Sequence, residues 1–125
     1  MFTVLIFVTR HRDLTPSEFR NHWECEHIPL LQRLGGQTFP LSHTRHYLQQ
    51  PVTPLVGDPA DLTYDAFAVV QFASKAAFEE FVPVMSSPEV VEDEDRFTDR
   101  GRMKAVVLGD VRYTRTAEKH DLNIS

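Results

Sequence analysis

The order in which the apolar residues of this chain change their spacing restricts its fold more than any other feature. Phe2–Val8 is apolar on both alternating sets, Val4, Ile6 and Val8 on one and Leu5 and Phe7 on the other. That is the pattern of a strand covered on both sides. The spacing then turns helical over residues 15–34, where Thr15 is placed as N-cap, Pro16 suits the first helical position and Glu18 completes a capping box. Strands are expected at Leu41–Gln49 and Tyr64–Phe72, with a proline- and glycine-rich connection over 50–61 between them. Ser74 opens a second helix through Val82, with Phe78, Phe81 and Val82 available for burial. Ser87-Pro88 opens a short acidic helix to about Phe97, and Lys104–Tyr113 reads as the last strand. This β-α-β-β-α-β order with an extra helical turn predicts an α+β fold of the ferredoxin-like split βαβ kind. Its four-stranded antiparallel sheet carries helices on one face. Residues 1–115 form that domain, and 116–125 a polar tail.

The first, third and fourth strands carry Val, Phe and Leu on both sides, so the sheet face without helices is apolar and asks for cover. A second copy packed sheet to sheet with two-fold symmetry is the simplest cover, and a homodimer through the open face is expected. At 125 residues the chain is one domain, and 42% hydrophobic with 25% charged residues is ordinary for a soluble globular protein. A formal charge of −5 argues against nucleic acid or an anionic membrane as partner. The single cysteine, Cys25, excludes an intramolecular disulfide and fits a reducing, cytoplasmic setting. The apolar stretch Phe2–Val8 is too short for a signal-peptide core or a membrane span. No glycine-rich phosphate loop, nucleophile elbow or dinucleotide fingerprint is present.

Chemistry is expected around His27. Phe19, Trp23, Leu30, Leu31 and Leu34 share one helical arc of about 120°, and His27 projects into the middle of it. Pro29 lacks a backbone donor and crowds the Cys25 carbonyl, which predicts a kink or helix end beside the histidine. An imidazole so placed serves as a general acid or base in a cavity, or as a buried group bonded to a freed carbonyl. On the second strand, alternation puts Leu41, His43, Arg45, Tyr47 and Gln49 on one face and Ser42, Thr44, His46 and Leu48 on the other. Arg45 there suits a carboxylate, and His43 or Tyr47 can donate to a substrate oxygen; the other reading is a polar edge in water.

In the acidic run 92–95, Glu94 points inward between Val91 and Phe97 on a regular helix, where it would orient His27 or raise its pKa. Asp93 takes that place if the helix is irregular, and a plain solvated face is the remaining reading. His27, Glu94 and His43 are thus the candidate catalytic residues, and Arg45, Tyr47, Trp23 and Asp93 the candidate substrate-binding ones. No metal site is expected: His22 and His27 are five apart and project about 140° from each other on a regular helix.

Several segments together resemble the EthD family of dimeric α+β barrel proteins. They are Thr9-Arg10, Leu14-Thr15-Pro16-Ser17-Glu18-Phe19, Trp23 with His27-x-Pro29-Leu30, and Leu41-Ser42-His43-Thr44-Arg45 with Tyr47. Tyr64-Asp65, Ser87-Pro88-Glu89 and Asp93-Glu94-x-x-Phe97 extend the match over nearly the whole chain. The segment Phe39–Arg45 looks most like fungal members associated with aromatic polyketide pathways. Those include decarboxylases acting on anthrone and anthraquinone precursors such as atrochrysone carboxylic acid. The resemblance implies a small aromatic substrate and a cofactor-independent decarboxylase with His27 as general acid. The same fold hosts cofactor-free monooxygenases, isomerases and haem-binding proteins. Two other readings therefore stand beside it: a cofactor-free oxygenase using His27 as base, and a non-catalytic dimeric binder of a hydrophobic metabolite or haem.

Overall fold

Strict alternation in β3 (Ala66–Phe72) and mixed apolar faces in β1 (Phe2–Val8) put these two strands at the centre of the sheet. The computed structural model describes residues 1–116. Besides 3-10 turns at Gly36–Thr38, Pro59–Asp61 and Arg100–Arg102, its remaining elements are α1 (Pro16–His22), a π-helical turn (Trp23–His27), α2 (Ile28–Gly35), β2 (Ser42–Tyr47), α3 (Lys75–Met85), α4 (Pro88–Phe97) and β4 (Lys104–Leu108). The four strands are antiparallel in the order β2-β3-β1-β4, the ferredoxin-like α+β arrangement. Val4 lies opposite Val70, Ile6 opposite Ala68 and Val8 opposite Ala66 on the face toward the helices. Ala66 and Ala68 are fully buried there. Their small size leaves depth for the rings of Phe19, Trp23 and Phe97, whose centroids lie 5.7–5.9 Å apart.

The opposite face carries Leu5, Phe7, Phe67 and Val69, half-buried, and Val106, 48% exposed, with no helix over them. β4 ends at Leu108 and not at Tyr113. It pairs only with β1, from Phe7 opposite Lys104 to Thr3 opposite Leu108, where β1 runs out. Val111 and Tyr113 are exposed beyond it. α3 runs past Pro83 to Met85, three residues further than expected, and leaves Val82 exposed, so Phe81 alone of its residues is fully buried. β2 covers Ser42–Tyr47 and not Leu41–Gln49, and β3 starts at Ala66 and not at Tyr64.

Thr15 caps α1 as expected, accepting from the Glu18 N–H at 3.1 Å while the Glu18 carboxylate accepts from the Thr15 N–H at 2.9 Å. Beside His27, however, the helix does not end: it passes through the π-helical turn into α2. It widens by one residue, and the Ile28 N–H reaches back to the Trp23 carbonyl. Pro29 explains the widening, because a regular turn would press its ring onto the Cys25 carbonyl. Among the described residues no helix is long and apolar enough to cross a membrane. The polar tail expected over 116–125 lies outside the described residues except for Thr116.

Candidate active site

Between the helices and the inner face of the sheet lies a cavity of about 240 Å³. Val4, Val70 and Phe72 form its floor, and Trp23, Leu31 and Phe97 its helical wall. Against this apolar lining stand a few polar groups: His27, His43, Glu94, Thr98 and Arg100. Arg100 and Ala105 are exposed as well as lining, so the cavity opens beside them. An apolar chamber with few convergent polar groups is the usual form of a small-molecule site.

The π-helical turn aims His27 into this space, with only 4% of the residue exposed. Its Nδ1 lies 2.7 Å from Asp93 Oδ2. A carboxylate only accepts, so Nδ1 carries the hydrogen and the lone pair of the neutral ring sits on Nε2. Among the described residues Nε2 has no protein partner, and the sealed, unpartnered side-chain nitrogen is Arg10 Nε. Nε2 therefore faces the open cavity. Burial lowers the pKa of His27 and outweighs the Asp93 carboxylate, which pushes it up. For Asp93 burial pushes upward, but hydrogen bonds from His27 and His22 win and hold the carboxyl below its ordinary value.

His22 is a residue that sequence reasoning missed. Its Nε2 lies 3.0 Å from Asp93 Oδ1 and its Nδ1 2.7 Å from Glu26 Oε2. The expected divergence of His22 and His27 holds only for a regular helix. The π turn inserts an extra residue and swings both rings to one carboxylate. Phe97 packs under both, with ring centroids 4.8 Å away in each case.

Glu94 does not bond His27; the carboxylate there is that of Asp93. Glu94 lines the cavity and takes a hydrogen bond from Arg100 Nε at 3.1 Å, while burial raises its pKa. α4 is regular over Pro88–Phe97, so the difference lies in how it docks: Asp93 is turned to the π-helical turn and Glu94 to the cavity mouth.

The strand wall is built differently. As alternation requires, His43, Arg45 and Tyr47 share the inward face of β2. Arg45 and Tyr47 do not line the cavity with His27. Both bond Glu24, which the sequence reading did not single out. Arg45 Nε donates to Glu24 Oε2 at 2.8 Å and Nη2 to Oε1 at 3.0 Å, while the Tyr47 hydroxyl donates to Oε2 at 2.6 Å. Arg45 holds the Glu24 carboxyl below its ordinary range. Burial and Glu24 hold the Tyr47 phenol well above its own, hence protonated. Arg45 Nη1 also donates to the His43 carbonyl at 2.7 Å and to His43 Nδ1 at 3.0 Å. Burial, then the guanidinium, push His43 down to about 4, so its ring is neutral at neutral pH. His46, on the other face of β2, stacks on Phe67. Trp23 lines the cavity edge-on to His43, with centroids 6.5 Å apart. Among the described residues no group of three or more His, Cys, Asp or Glu side chains is arranged to hold a metal ion.

No curated protein matches the chain significantly. Solved structures do. An EthD-like protein from Ralstonia eutropha is 14% identical over 93% of this chain and 96% of its own, with a TM-score of 0.61. A dimeric ferredoxin-like protein from an uncultured marine organism is 12% identical over 92% and 100%, with a TM-score of 0.55. SnoaB, a cofactor-independent oxygenase from Streptomyces nogalater, is 13% identical over 90% and 94%, with a TM-score of 0.52. At such identities the likeness is one of fold. The EthD domain pattern itself matches residues 11–101, a span that contains the π-helical turn, β2 and α4 and hence both walls of the cavity. This chain belongs to the EthD family.

Proposed function

We propose that the protein is a cofactor-independent decarboxylase, a lyase acting on an aromatic polyketide acid of the anthrone- or anthraquinone-precursor type. One observation carries the reading: a buried imidazole held by a carboxylate on one nitrogen and open to an apolar cavity on the other. Decarboxylation of a hydroxyaryl acid breaks one carbon–carbon bond, releases carbon dioxide and needs one proton on the ring carbon left behind. His27 as imidazolium supplies that proton from Nε2, and Asp93 stabilises the charged ring. In the empty cavity burial disfavours the imidazolium. A substrate carboxylate beside Nε2 has the opposite sign and raises the pKa again, so substrate binding itself loads the acid. Arg100 at the mouth is the cation that meets an incoming carboxylate, with Glu94 holding its guanidinium in place. His43 and Trp23 bound the far side, where ring oxygens and the aromatic plane rest. The volume, just below the roughly 300–1,000 Å³ of ordinary ligand pockets, suits a compact fused-ring molecule.

The reading includes a homodimer through the open sheet face, supported by the apolar residues there and by the likeness to a dimeric ferredoxin-like protein. A second reaction is favoured by the neutral resting state of His27 and the likeness to SnoaB. As a base, His27 would take a phenolic proton and leave a carbanion-like phenolate for oxygen to attack. Carbon dioxide release from a hydroxyaryl acid under nitrogen, by the wild type and His27→Ala, tests the choice. Metal- and oxygen-independent release that His27→Ala loses is expected. Full turnover by His27→Ala overturns the assignment, and consumption of substrate only in air, with its carboxyl retained, selects the oxygenase. The pH dependence of kcat/KM has opposite signs in the two cases. Acid catalysis falls as pH rises through the lowered His27 pKa, whereas base catalysis rises over the same limb.

A further inference from the structure

The two imidazoles that enter the cavity present opposite hydrogen-bonding characters, and the cause lies outside the cavity. A guanidinium can only donate, so the 3.0 Å contact from Arg45 Nη1 requires His43 Nδ1 to be an acceptor without hydrogen. A neutral His43 then carries its single ring hydrogen on Nε2. Among the described residues that atom has no protein partner and is not sealed off, and His43 lines the cavity. Arg45 is fixed for this task by the two-point grip of Glu24, which also holds Tyr47, and by the His43 carbonyl. Such a bidentate grip defines direction as well as distance.

We propose that Glu24 and Arg45 are positioning residues that lock His43 as a hydrogen-bond donor into the cavity. The ligand class follows: a hydroxyaryl carbonyl compound whose carbonyl or carboxyl oxygen accepts from His43 Nε2 while its hydroxyl meets His27 Nε2, donating to the neutral ring or accepting from the imidazolium. This deepens, and rests on, the reading of His27 as the proton-transfer group. A plain aromatic hydrocarbon satisfies neither nitrogen, and a phenol without a carbonyl leaves the His43 N–H unpaired in an apolar wall. That loss gives the site its selectivity. The strand wall thus binds an oxygen through Arg45 indirectly, although the guanidinium never reaches the ligand.

The test uses two neutral probes of matched shape, hydroxyacetonaphthone with its hydroxyl and acetyl groups on different rings and the corresponding ethylnaphthol, so that Arg100 does not bias the result. Binding is measured by fluorescence or calorimetry with the wild type, Glu24→Gln and Arg45→Gln. Long-range proton–nitrogen NMR on histidine-labelled wild type reads which nitrogen of His43 carries hydrogen. We expect hydrogen on Nε2 only, and about tenfold tighter binding of the ketone than of the ethyl compound. Arg45→Gln should cut that preference to about twofold or less, and Glu24→Gln should weaken it in the same direction. Hydrogen on Nδ1 of wild-type His43, or an intact preference in folded Arg45→Gln, overturns the proposal. The NMR result stands even if the variants fail to fold. None of these measurements reads turnover, so a failure of the His27 assignment in the gas-release assay remains distinguishable.

Discussion

His27 on the helical wall and His43 on the strand wall are the same side chain facing the same chamber, yet their rear nitrogens meet groups of opposite sign. Behind His27 lies the Asp93 carboxylate at 2.7 Å; behind His43 lies the Arg45 guanidinium at 3.0 Å. The carboxylate leaves a lone pair pointing forward and favours an added proton. The guanidinium leaves an N–H pointing forward and, after burial, opposes any further proton, so that His43 is pushed down to about 4. In an apolar cavity, the partner behind an imidazole decides what the face in front can do. On the proposed function, one wall moves protons and the other holds oxygens.

The sharpest way to break this contrast is to neutralise the rear partner of the helical wall. Asp93→Asn removes the charge that stabilises the His27 imidazolium and admits the wrong tautomer. Turnover is expected to fall about 10²–10⁴-fold, the range of a lost general acid. A spectrophotometric kcat within twofold of wild type would show that the walls do not differ in this way. Phe97→Ala attacks the packing that holds the helical wall, because this ring supports both His22 and His27 and is 2% exposed. A loss of about 3–5 kcal/mol in denaturant unfolding is expected, with activity falling even where the protein stays folded. Unchanged stability would mean that the aromatic cluster is not the foundation of that wall.

On the strand wall, His43→Gln keeps a donor of similar reach but loses the fixed direction. Affinity for a carbonyl-bearing substrate is expected to weaken by up to about tenfold, appearing in KM more than in kcat; a pure kcat effect would move His43 to the proton-transfer side. The smallest expected effect is on acid stability. Glu24 has a lowered pKa in the folded state, so its contribution is present above the ordinary carboxylate value and lost as pH falls through the lowered one. The melting temperature should therefore drop more steeply on acidification in the wild type than in Glu24→Gln. Equal slopes would show that the clamp on Arg45 adds nothing at the surface of β2.

Much of this site was legible in the sequence because it depends on period. Alternation alone placed His43, Arg45 and Tyr47 on one face, though not which way it points, and the apolar arc of residues 19–34 placed His27 inside. What escaped depended on pairs distant in sequence or on departures from ideal geometry. Glu24 is three residues before His27, but its value lies in reaching Arg45 and Tyr47 across to β2. His22 reaches Asp93 only because Pro29 forces a wide turn, and the wheel built on a regular helix points it away. A histidine five residues before a histidine, with a proline two residues beyond, was the available signal. The competition between Asp93 and Glu94 was likewise set by how α4 docks, not by its own regular turns.

Local chemistry, then, determined the elements of this protein: which stretches extend, which coil, where caps sit, and which faces are oily. Those properties follow from interactions among near neighbours and from spacing along the chain. Only the tertiary structure decided which carboxylate stands behind His27, which cation stands behind His43, and that both rings enter one chamber. Hydrogen-bond partners across 66 residues, as between His27 and Asp93, are chosen by packing. No periodicity encodes them.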